Sequence, residues 1–239
     1  MPPLIALPGT LLDERSLAPL FAALAAAAPE LAAPRLLLLG EAAQIDDELD
    51  RLAEQAGGPA VWIGHSLGGI LALHLALRHK ACVAGLVLLA ANARAGAAAG
   101  ASRRAAQWQE AQQHGLRALA LAKLGPGYGL ASTDALLQLL ADQAEAVGLR
   151  RFENQLRYGS TRPGLLEPRR TLAMPLLALA GEADTMCPPL DSAEIAALSP
   201  GGQHRTLAGV GHLFPLQQPR WTALQVQRFL QPLMSKRPE

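Results

Sequence analysis

The sequence is poor in several residue types, and each shortage excludes a class of protein. The two cysteines, Cys82 and Cys187, are far apart and lack metal-ligand spacing, so neither a disulfide framework nor a metal site is expected. Charged residues make up only 17% of the chain, the net charge is +1, and the basic residues form no stripe, which argues against a nucleic-acid partner. No run reaches the roughly 18 apolar residues that span a bilayer, so we expect no membrane partner.

The amino terminus also lacks the features of a secretion signal. Residues 1–7 enter a short apolar run that stops at Pro8-Gly9, without a basic region or an apolar segment of the required length. Aromatic residues make up 4% of the chain, whereas half of the residues are apolar and alanine and leucine dominate. This composition favours helices packed on a buried sheet over an all-β fold. We therefore expect a cytoplasmic protein with one sizeable core.

Short apolar runs alternate with helical patterns in both halves of the chain. This alternation indicates βαβ units, in which parallel strands are covered by helices on both faces. The predicted fold class is α/β, with a doubly wound, mostly parallel sheet of about six strands. The predicted strands cover residues 4–7, 35–39, 60–63, 83–89, 175–180 and 204–207.

The stretch from 101 to 168 departs from the alternation, because it contains helical patterns and no convincing strand. Helices are predicted over 102–124, 132–147 and 149–158, with interruptions at Gly125-Pro126-Gly127 and at Gly148. The simplest interpretation is a helical cap inserted after the fourth strand, with residues 1–100 and 169–239 forming the core. The alternative is a set of covering helices with no role in binding.

The hexapeptide Gly64-His65-Ser66-Leu67-Gly68-Gly69 joins a predicted strand to a predicted helix. In this context a Gly-x-Ser-x-Gly turn holds the serine in a strained conformation, with its hydroxyl projecting above the sheet. Small residues on either side let the strand and the helix approach closely. The sequence therefore predicts Ser66 as a nucleophile, and the alternative is a glycine-rich turn with a chance serine.

A serine hydroxyl needs a neighbouring base, and the base needs an acid that orients it. Asp184 follows the predicted strand at 175–180, and His212 follows the last predicted strand. Because parallel strands end at one sheet edge, both side chains are expected beside Ser66. We predict His212 as the general base and Asp184 as the orienting acid. Other carboxylates that compete for the acid role are Glu182, Asp191 and Asp13.

An oxyanion hole needs two hydrogen-bond donors near the nucleophile. The backbone N–H of Leu67 is predicted as one donor and that of Thr10, after the first strand, as the other, with Leu11 as the alternative to Thr10. An acyl pocket between cap and core is expected to use Trp108, Tyr128, Phe152, Leu213 and Phe214, although each of these residues suits plain packing as well.

Three segments resemble signatures of one superfamily. The hexapeptide around Ser66, Gly181-Glu182-Ala183-Asp184 and Gly209-Val210-Gly211-His212 are similar to the motifs of the α/β-hydrolase fold. Within it the chain resembles small bacterial carboxylesterases with a helical cap, such as pimeloyl-carrier-protein methyl esterases and enol-lactonases. The resemblance implies a small-molecule ester substrate, free or linked to a carrier protein, and no cofactor. The chain departs from the family at Pro8-Gly9, where His-Gly is usual.

These residues together favour hydrolysis of a carboxylic ester or thioester through an acyl-enzyme. The same triad also serves hydrolysis of a carbon–carbon bond in a vinylogous diketone, or acyl transfer to an alcohol. Epoxide and haloalkane chemistry is disfavoured, because family members with those activities have a carboxylate where this chain has Ser66. A non-catalytic binding protein of the same fold is the remaining alternative.

Overall fold

A six-stranded sheet with all strands parallel forms the centre of the molecule. The computed structural model describes residues 1–96, 100–130, 135–166 and 171–235. The strands are β1 Leu4–Leu7, β2 Arg35–Leu36, β3 Ala60–His65, β4 Val83–Leu89, β5 Leu176–Gly181 and β6 Gln203–Leu207. Their order in the sheet is β2-β1-β3-β4-β5-β6. This arrangement confirms the predicted α/β fold class.

The edge strand β2 is shorter than predicted. Leu37 N–H still donates to the carbonyl of Ala6, at 2.9 Å, so the chain leaves the sheet directly after that residue. The next two carbonyls bond to side chains instead: that of Leu38 accepts from Arg51 at 2.8 Å and that of Leu39 from Gln155 at 3.0 Å. The prediction of a strand over 35–39 was therefore wrong in its second half.

Helices cover both faces of the sheet. They are α1 Ala18–Ala27, α2 Ile45–Ala56, α3 Leu67–Arg78, α4 Ala101–Leu119, α5 Gly125–Gly127, α6 Ala135–Thr161, α7 Pro189–Ala196, α8 Phe214–Gln217 and α9 Pro219–Ser235. Successive strand residues point to opposite faces, so Val61 and Ile63 pack under α1 and α9 whereas Trp62 packs under α2, α3 and α7. None of the helices in the described ranges is both long and apolar enough to cross a membrane.

The helices α4 and α6 follow β4 in the chain and pack against each other, and we call them the cap helices. Each of them is broken by a glycine in the left-handed region, Gly115 with φ 84° and Gly148 with φ 81°. The break at Gly148 was predicted, but the one at Gly115 was not. The predicted cap boundaries remain a prediction, since residues 97–99, 131–134 and 167–170 lie outside the described ranges.

The second half of α6 is anchored to the loop that follows β2. Asn154 Nδ2 donates to the carbonyl of Gly40 at 2.9 Å, and the Tyr158 hydroxyl donates to the carbonyl of Ala42. From beneath, the buried Glu48 carboxylate accepts the N–H groups of Gly40 and Ala42 at 3.0 and 2.9 Å. Because its backbone is bonded from both sides, this loop connects α6 firmly to the core.

Candidate active site

Ser66 lies at the sharp turn between β3 and α3. Its backbone has φ 53° and ψ −119°, a conformation that non-glycine residues rarely adopt. The Ser66 N–H donates to the carbonyl of Leu89 at the end of β4, at 2.8 Å, which helps to hold the turn. A strained residue persists only where its surroundings fix it, and here they place the serine at a cavity wall.

The glycines of the turn allow α3 to lie directly on the strand ends. A Cβ atom on Gly68 would lie 2.2 Å from the carbonyl oxygen of Leu7, and one on Gly64 would lie 2.5 Å from that of Gly68. Only glycine fits at such distances. The same close packing brings the loop after β1 to the nucleophile, since a Cβ on Gly9 would lie 3.2 Å from Cβ of Ser66.

Three side chains from three separate loops form one hydrogen-bonded chain. His212 Nε2 lies 2.9 Å from Ser66 Oγ, and His212 Nδ1 lies 2.8 Å from Asp184 Oδ2. The loops follow β3, β5 and β6, whose carboxyl ends share one sheet edge. With Nδ1–H donating to the carboxylate, Nε2 is left free to accept the serine proton. The structure thus brings the three predicted residues together.

The Asp184 carboxylate is held in its charged form. Its second oxygen, Oδ1, accepts the N–H groups of Met186 at 2.8 Å and Cys187 at 3.0 Å. Burial by itself raises the pKa of Asp184, but the hydrogen bond from His212 and these two N–H groups outweigh it and hold the pKa below its usual value. The carboxylate is therefore ready to stabilise a positive charge on His212.

The competing carboxylates have other partners. Glu182 accepts the N–H of Gly209 at 2.9 Å, on the loop before His212. Asp191 pairs with Arg94 at 2.8 Å, and Asp13 pairs with Arg15 at 2.6 Å. Each of these acids stabilises a local loop or helix, whereas Asp184 contacts the histidine.

The ring of His212 packs between two further aromatic rings. Tyr128 stacks on it, with the ring centroids 5.3 Å apart and the planes 3° apart. His65 lies on another side, also at 5.3 Å, and its Nε2–H donates to the backbone carbonyl of His212 at 3.0 Å. Burial and, to a smaller extent, the charge of the nearby His212 lower the pKa of His65 to about 3, so this ring is neutral. His65 therefore supports the loop that carries His212.

The predicted oxyanion donors lie beside Ser66. Thr10 and Leu67 both line the cavity that contains the serine. Leu67 is the first residue of α3, where backbone N–H groups have no acceptor within the helix. The alternative donor, Leu11, already donates its N–H to Gln155 Oε1 at 3.0 Å. The arrangement therefore favours Thr10 over Leu11.

The cavity above Ser66 has a volume of about 740 Å³ and is bounded by the cap helices and the sheet edge. Two of the five residues predicted for the acyl pocket, Tyr128 and Phe152, line it. The structure places the other three predicted residues outside its wall. Trp108 packs on Phe152, with 6.4 Å between ring centroids, and Leu213 packs in an apolar cluster with Leu12 and Leu137.

Phe214 lies in the core and not at the cavity, so its predicted place in the acyl pocket was wrong. Its ring is fully buried on the sheet face that α1 and α9 cover, edge-on to Trp221 at 6.3 Å. The helix α8 begins directly after Leu213 and directs this side chain into the core. Phe214 thus supports the loop of His212 from below instead of facing a ligand.

In the described part of the chain, no three His, Cys, Asp or Glu side chains converge as metal ligands would. Cys187 lines the cavity, but burial raises the pKa of its thiol to about 12, so it is a poor nucleophile. Sequence reasoning missed several polar residues of the cap that face the cavity, and none of them carried a local motif. Among them are Arg104 on α4, Gln155 on α6 and Arg162 directly after α6.

Comparison with known proteins identifies the family. A model of the alpha/beta hydrolase family matches residues 4–225. The pimeloyl-[acyl-carrier protein] methyl ester esterase of Xanthomonas axonopodis pv. citri (strain 306) is 32% identical over 192 residues, covering 72% of this chain and 71% of that protein.

Solved structures share the fold. An esterase from Thermogutta terrifontis superposes with a TM-score of 0.79 at 19% identity, covering 98% of this chain and 90% of that one. The enol-lactonase from Burkholderia xenovorans LB400 has a TM-score of 0.71 at 19% identity, with 96% and 92% covered. The chain therefore belongs to the alpha/beta hydrolase family, as a hydrolase of the esterase type.

Proposed function

We propose that the protein is a serine esterase that cleaves a carboxylic ester through an acyl-enzyme. The observation that carries the proposal is the hydrogen-bonded chain from Ser66 through His212 to Asp184. Its nucleophilic end opens into the cavity under the cap helices. A serine, a histidine that can accept its proton and a buried carboxylate are the components of acyl transfer.

The reaction proceeds in two halves. Ser66 Oγ attacks the ester carbonyl carbon while His212 Nε2 takes the hydroxyl proton, and the charged Asp184 stabilises the resulting imidazolium. His212 then returns the proton to the departing alcohol, which leaves an ester between Ser66 and the acyl group. A water molecule, deprotonated by His212, attacks this acyl-enzyme, and collapse of the second tetrahedral intermediate releases the acid and regenerates Ser66.

The negative charge on the carbonyl oxygen needs donors that are already in position. The N–H groups of Leu67 and Thr10 are assigned this role, because both residues line the cavity at Ser66. In comparable enzymes, loss of one such donor costs roughly 10² to 10³ in kcat. The geometry of the loop after β1 therefore bears directly on the rate.

Two glutamines of α6 hold that loop. Gln155 Oε1 accepts the N–H of Leu11 at 3.0 Å, while its Nε2 donates to the carbonyl of Leu39 at 3.0 Å. Gln143 Oε1 accepts the N–H of Asp13 at 3.0 Å. Thr10 thus lies between β1, fixed in the sheet, and a segment fixed by α6. We assign Gln155 as a positioning residue for the oxyanion donor.

The apolar side of the cavity suits an acyl chain. Ile70 rises from α3, and Leu119, Leu124, Phe152 and Leu156 come from the cap side. The relatives named as esterases of a pimeloyl-[acyl-carrier protein] methyl ester support an acyl chain linked to a carrier protein. We propose that such a chain lies in this cavity with its ester carbonyl at Ser66.

A panel of esters tests this proposal. p-Nitrophenyl esters from acetyl to lauroyl, together with a carrier-protein-linked methyl ester, are incubated with the native protein and the release of nitrophenol or methanol is measured. We expect hydrolysis that depends on Ser66 and is fastest for one range of chain lengths. Ser160→Ala is the matched control, because Ser160 donates to the carbonyl of Leu156 within α6. Cleavage no faster than that of Ser66→Ala across the panel would contradict the proposal.

A further inference from the structure

The cavity above Ser66 is rich in positive charge. Four basic side chains line it, namely Arg103, Arg104, Lys123 and Arg162. Among the described lining residues, Glu110 carries the one carboxylate. The whole chain has a net charge of only +1, so this excess is local. A cavity lined by one sign of charge concentrates ligands of the opposite sign.

Arg162 is held in place by neutral oxygen atoms. Its Nε donates to the carbonyl of Arg94 at 3.0 Å, its Nη1 to that of Gly159 at 3.2 Å and its Nη2 to Asn92 Oδ1 at 3.3 Å. These acceptors fix the direction of the guanidinium without neutralising it. Burial lowers the pKa of Arg162, and the positive charge of Arg104 lowers it further. Both effects are expected of a cation that is removed from water and lies near a second cation.

Arg162 lies on the same sheet edge as the triad. Asn92, which accepts from Arg162, follows β4 and donates to Cys187 Sγ at 3.4 Å. The N–H of Cys187 in turn donates to Asp184 Oδ1 at 3.0 Å. Arg162 is thus connected to Asp184 through Asn92 and Cys187. Its guanidinium lines the same cavity as Ser66, where a substrate would contact it.

Arg104 approaches the same point from α4. A Cβ atom on Gly159 would lie 3.1 Å from Arg104 Nε, and the carbonyl of Gly159 accepts from Arg162. The two guanidinium groups therefore share Gly159 as a neighbour, one from the cap helix α4 and the other from the residue directly after α6. Holding two like charges together costs free energy, and an anion between them would offset that cost.

We propose that Arg104 and Arg162 bind an anionic group of the substrate, a carboxylate or a phosphate, so that the ester cleaved at Ser66 carries a negative charge. The proposal rests on the esterase function proposed above. Guanidinium groups match the geometry of both anions and bind them through paired hydrogen bonds. Because the pair lies in the cavity of Ser66, the anion and the ester belong to the same molecule.

Matched substrate pairs test the proposal and locate the charge. The first pair is mono-(4-nitrophenyl) adipate and 4-nitrophenyl hexanoate, which differ by a carboxylate at the far end of the acyl chain. The second pair is the monomethyl adipoyl thioesters of 4′-phosphopantetheine and of pantetheine, which carry the same methyl ester and differ by a phosphate at the carrier end of the acyl chain. We expect kcat/KM of the native protein to favour the anionic member of one pair at least about tenfold at low salt.

Variants of the two arginines then show which residue causes the preference for the anionic member of a pair. Arg104→Gln is expected to lower the preference at least about tenfold, and Arg162→Lys, which keeps the charge, to retain part of it. Arg117→Gln is the control, because Arg117 also lies on α4 but pairs with Asp142. A native ratio near one for both pairs, or a ratio that Arg104→Gln leaves unchanged, would overturn the proposal.

A binding measurement separates this proposal from the esterase proposal. Titration calorimetry compares monomethyl adipate with methyl hexanoate on the Ser66→Ala protein, which needs no catalysis. Tighter binding of the anionic ester, weakened by Arg104→Gln, supports the cationic pair even if the native protein cleaves no ester. Equal binding of the two esters, in a protein that cleaves neutral esters, contradicts a carboxylate on the acyl chain. Together with a ratio near one for the second pair, it contradicts the cationic pair and leaves the esterase proposal standing.

Discussion

Replacement of His212 with alanine is expected to lower kcat on an ester substrate by about 10⁴-fold. The imidazole lies 2.9 Å from Ser66 Oγ and is the one base in contact with that hydroxyl among the described residues. Without it, the serine must lose its proton to water, and the leaving alcohol has no general acid. Steady-state kinetics with a p-nitrophenyl ester measures the effect.

The loss must be separated from unfolding, because the ring of His212 also packs against Tyr128 and His65. The thermal midpoint of the variant is therefore recorded beside that of the native protein. His204→Ala is the matched control, because His204 is exposed on β6 and does not line the cavity of Ser66. A folded His212→Ala protein with a loss in kcat of less than about tenfold would refute the assignment of this base.

Replacement of Gln155 with leucine is expected to lower kcat roughly 10²-fold while KM changes little. Leucine has a similar volume but cannot accept the N–H of Leu11 or donate to the carbonyl of Leu39. The loop that carries Thr10 then loses its attachment to α6, and the oxyanion loses an aligned donor. Because the donor acts on charge that develops during the reaction, the loss falls mainly on kcat.

A transition-state analogue distinguishes positioning from a structural role. A trifluoromethyl ketone forms a tetrahedral adduct with Ser66, and its affinity should fall in parallel with kcat in Gln155→Leu. Asn154→Ala is the control, because Asn154 is the adjacent residue and bonds to Gly40 instead of to the loop after β1. A kcat within about threefold of the native value, or an unchanged analogue affinity, would contradict the role given to Gln155.

The sheet and the triad were predictable because their signals are local. Each strand is a short apolar run with a clear end, and parallel strands place the residues after those ends on one edge. Ser66, Asp184 and His212 follow three such ends, so their proximity depends on topology alone. The early end of β2 was not predictable, because the carbonyls of Leu38 and Leu39, which the sequence placed in the strand, bond instead to the side chains of Arg51 and Gln155 from distant segments.

The polar residues that line the cavity from α4, from α6 and from the segment after α6 were not predictable, for a physical reason. Gln155 contacts Leu11, which is 144 positions earlier, and neither residue belongs to a recognisable motif. Arg104 lies on α4 and Arg162 directly after α6, 58 positions later, and both are neighbours of Gly159. Aromatic character was a poor guide, since Phe214 is buried beneath the sheet edge whereas Phe152 lines the cavity. Contacts between segments, and not composition, determine this part of the site.

Intact-mass analysis after treatment with a fluorophosphonate tests the central claim most directly, because this reagent modifies only a serine activated by its surroundings. The native protein is predicted to gain one equivalent of the reagent, located at Ser66 by peptide mapping, and Ser66→Ala is predicted to gain none. Ser160→Ala should react as the native protein does. Absence of modification in the native protein, or modification that persists in Ser66→Ala, would contradict the assignment of Ser66 as the nucleophile.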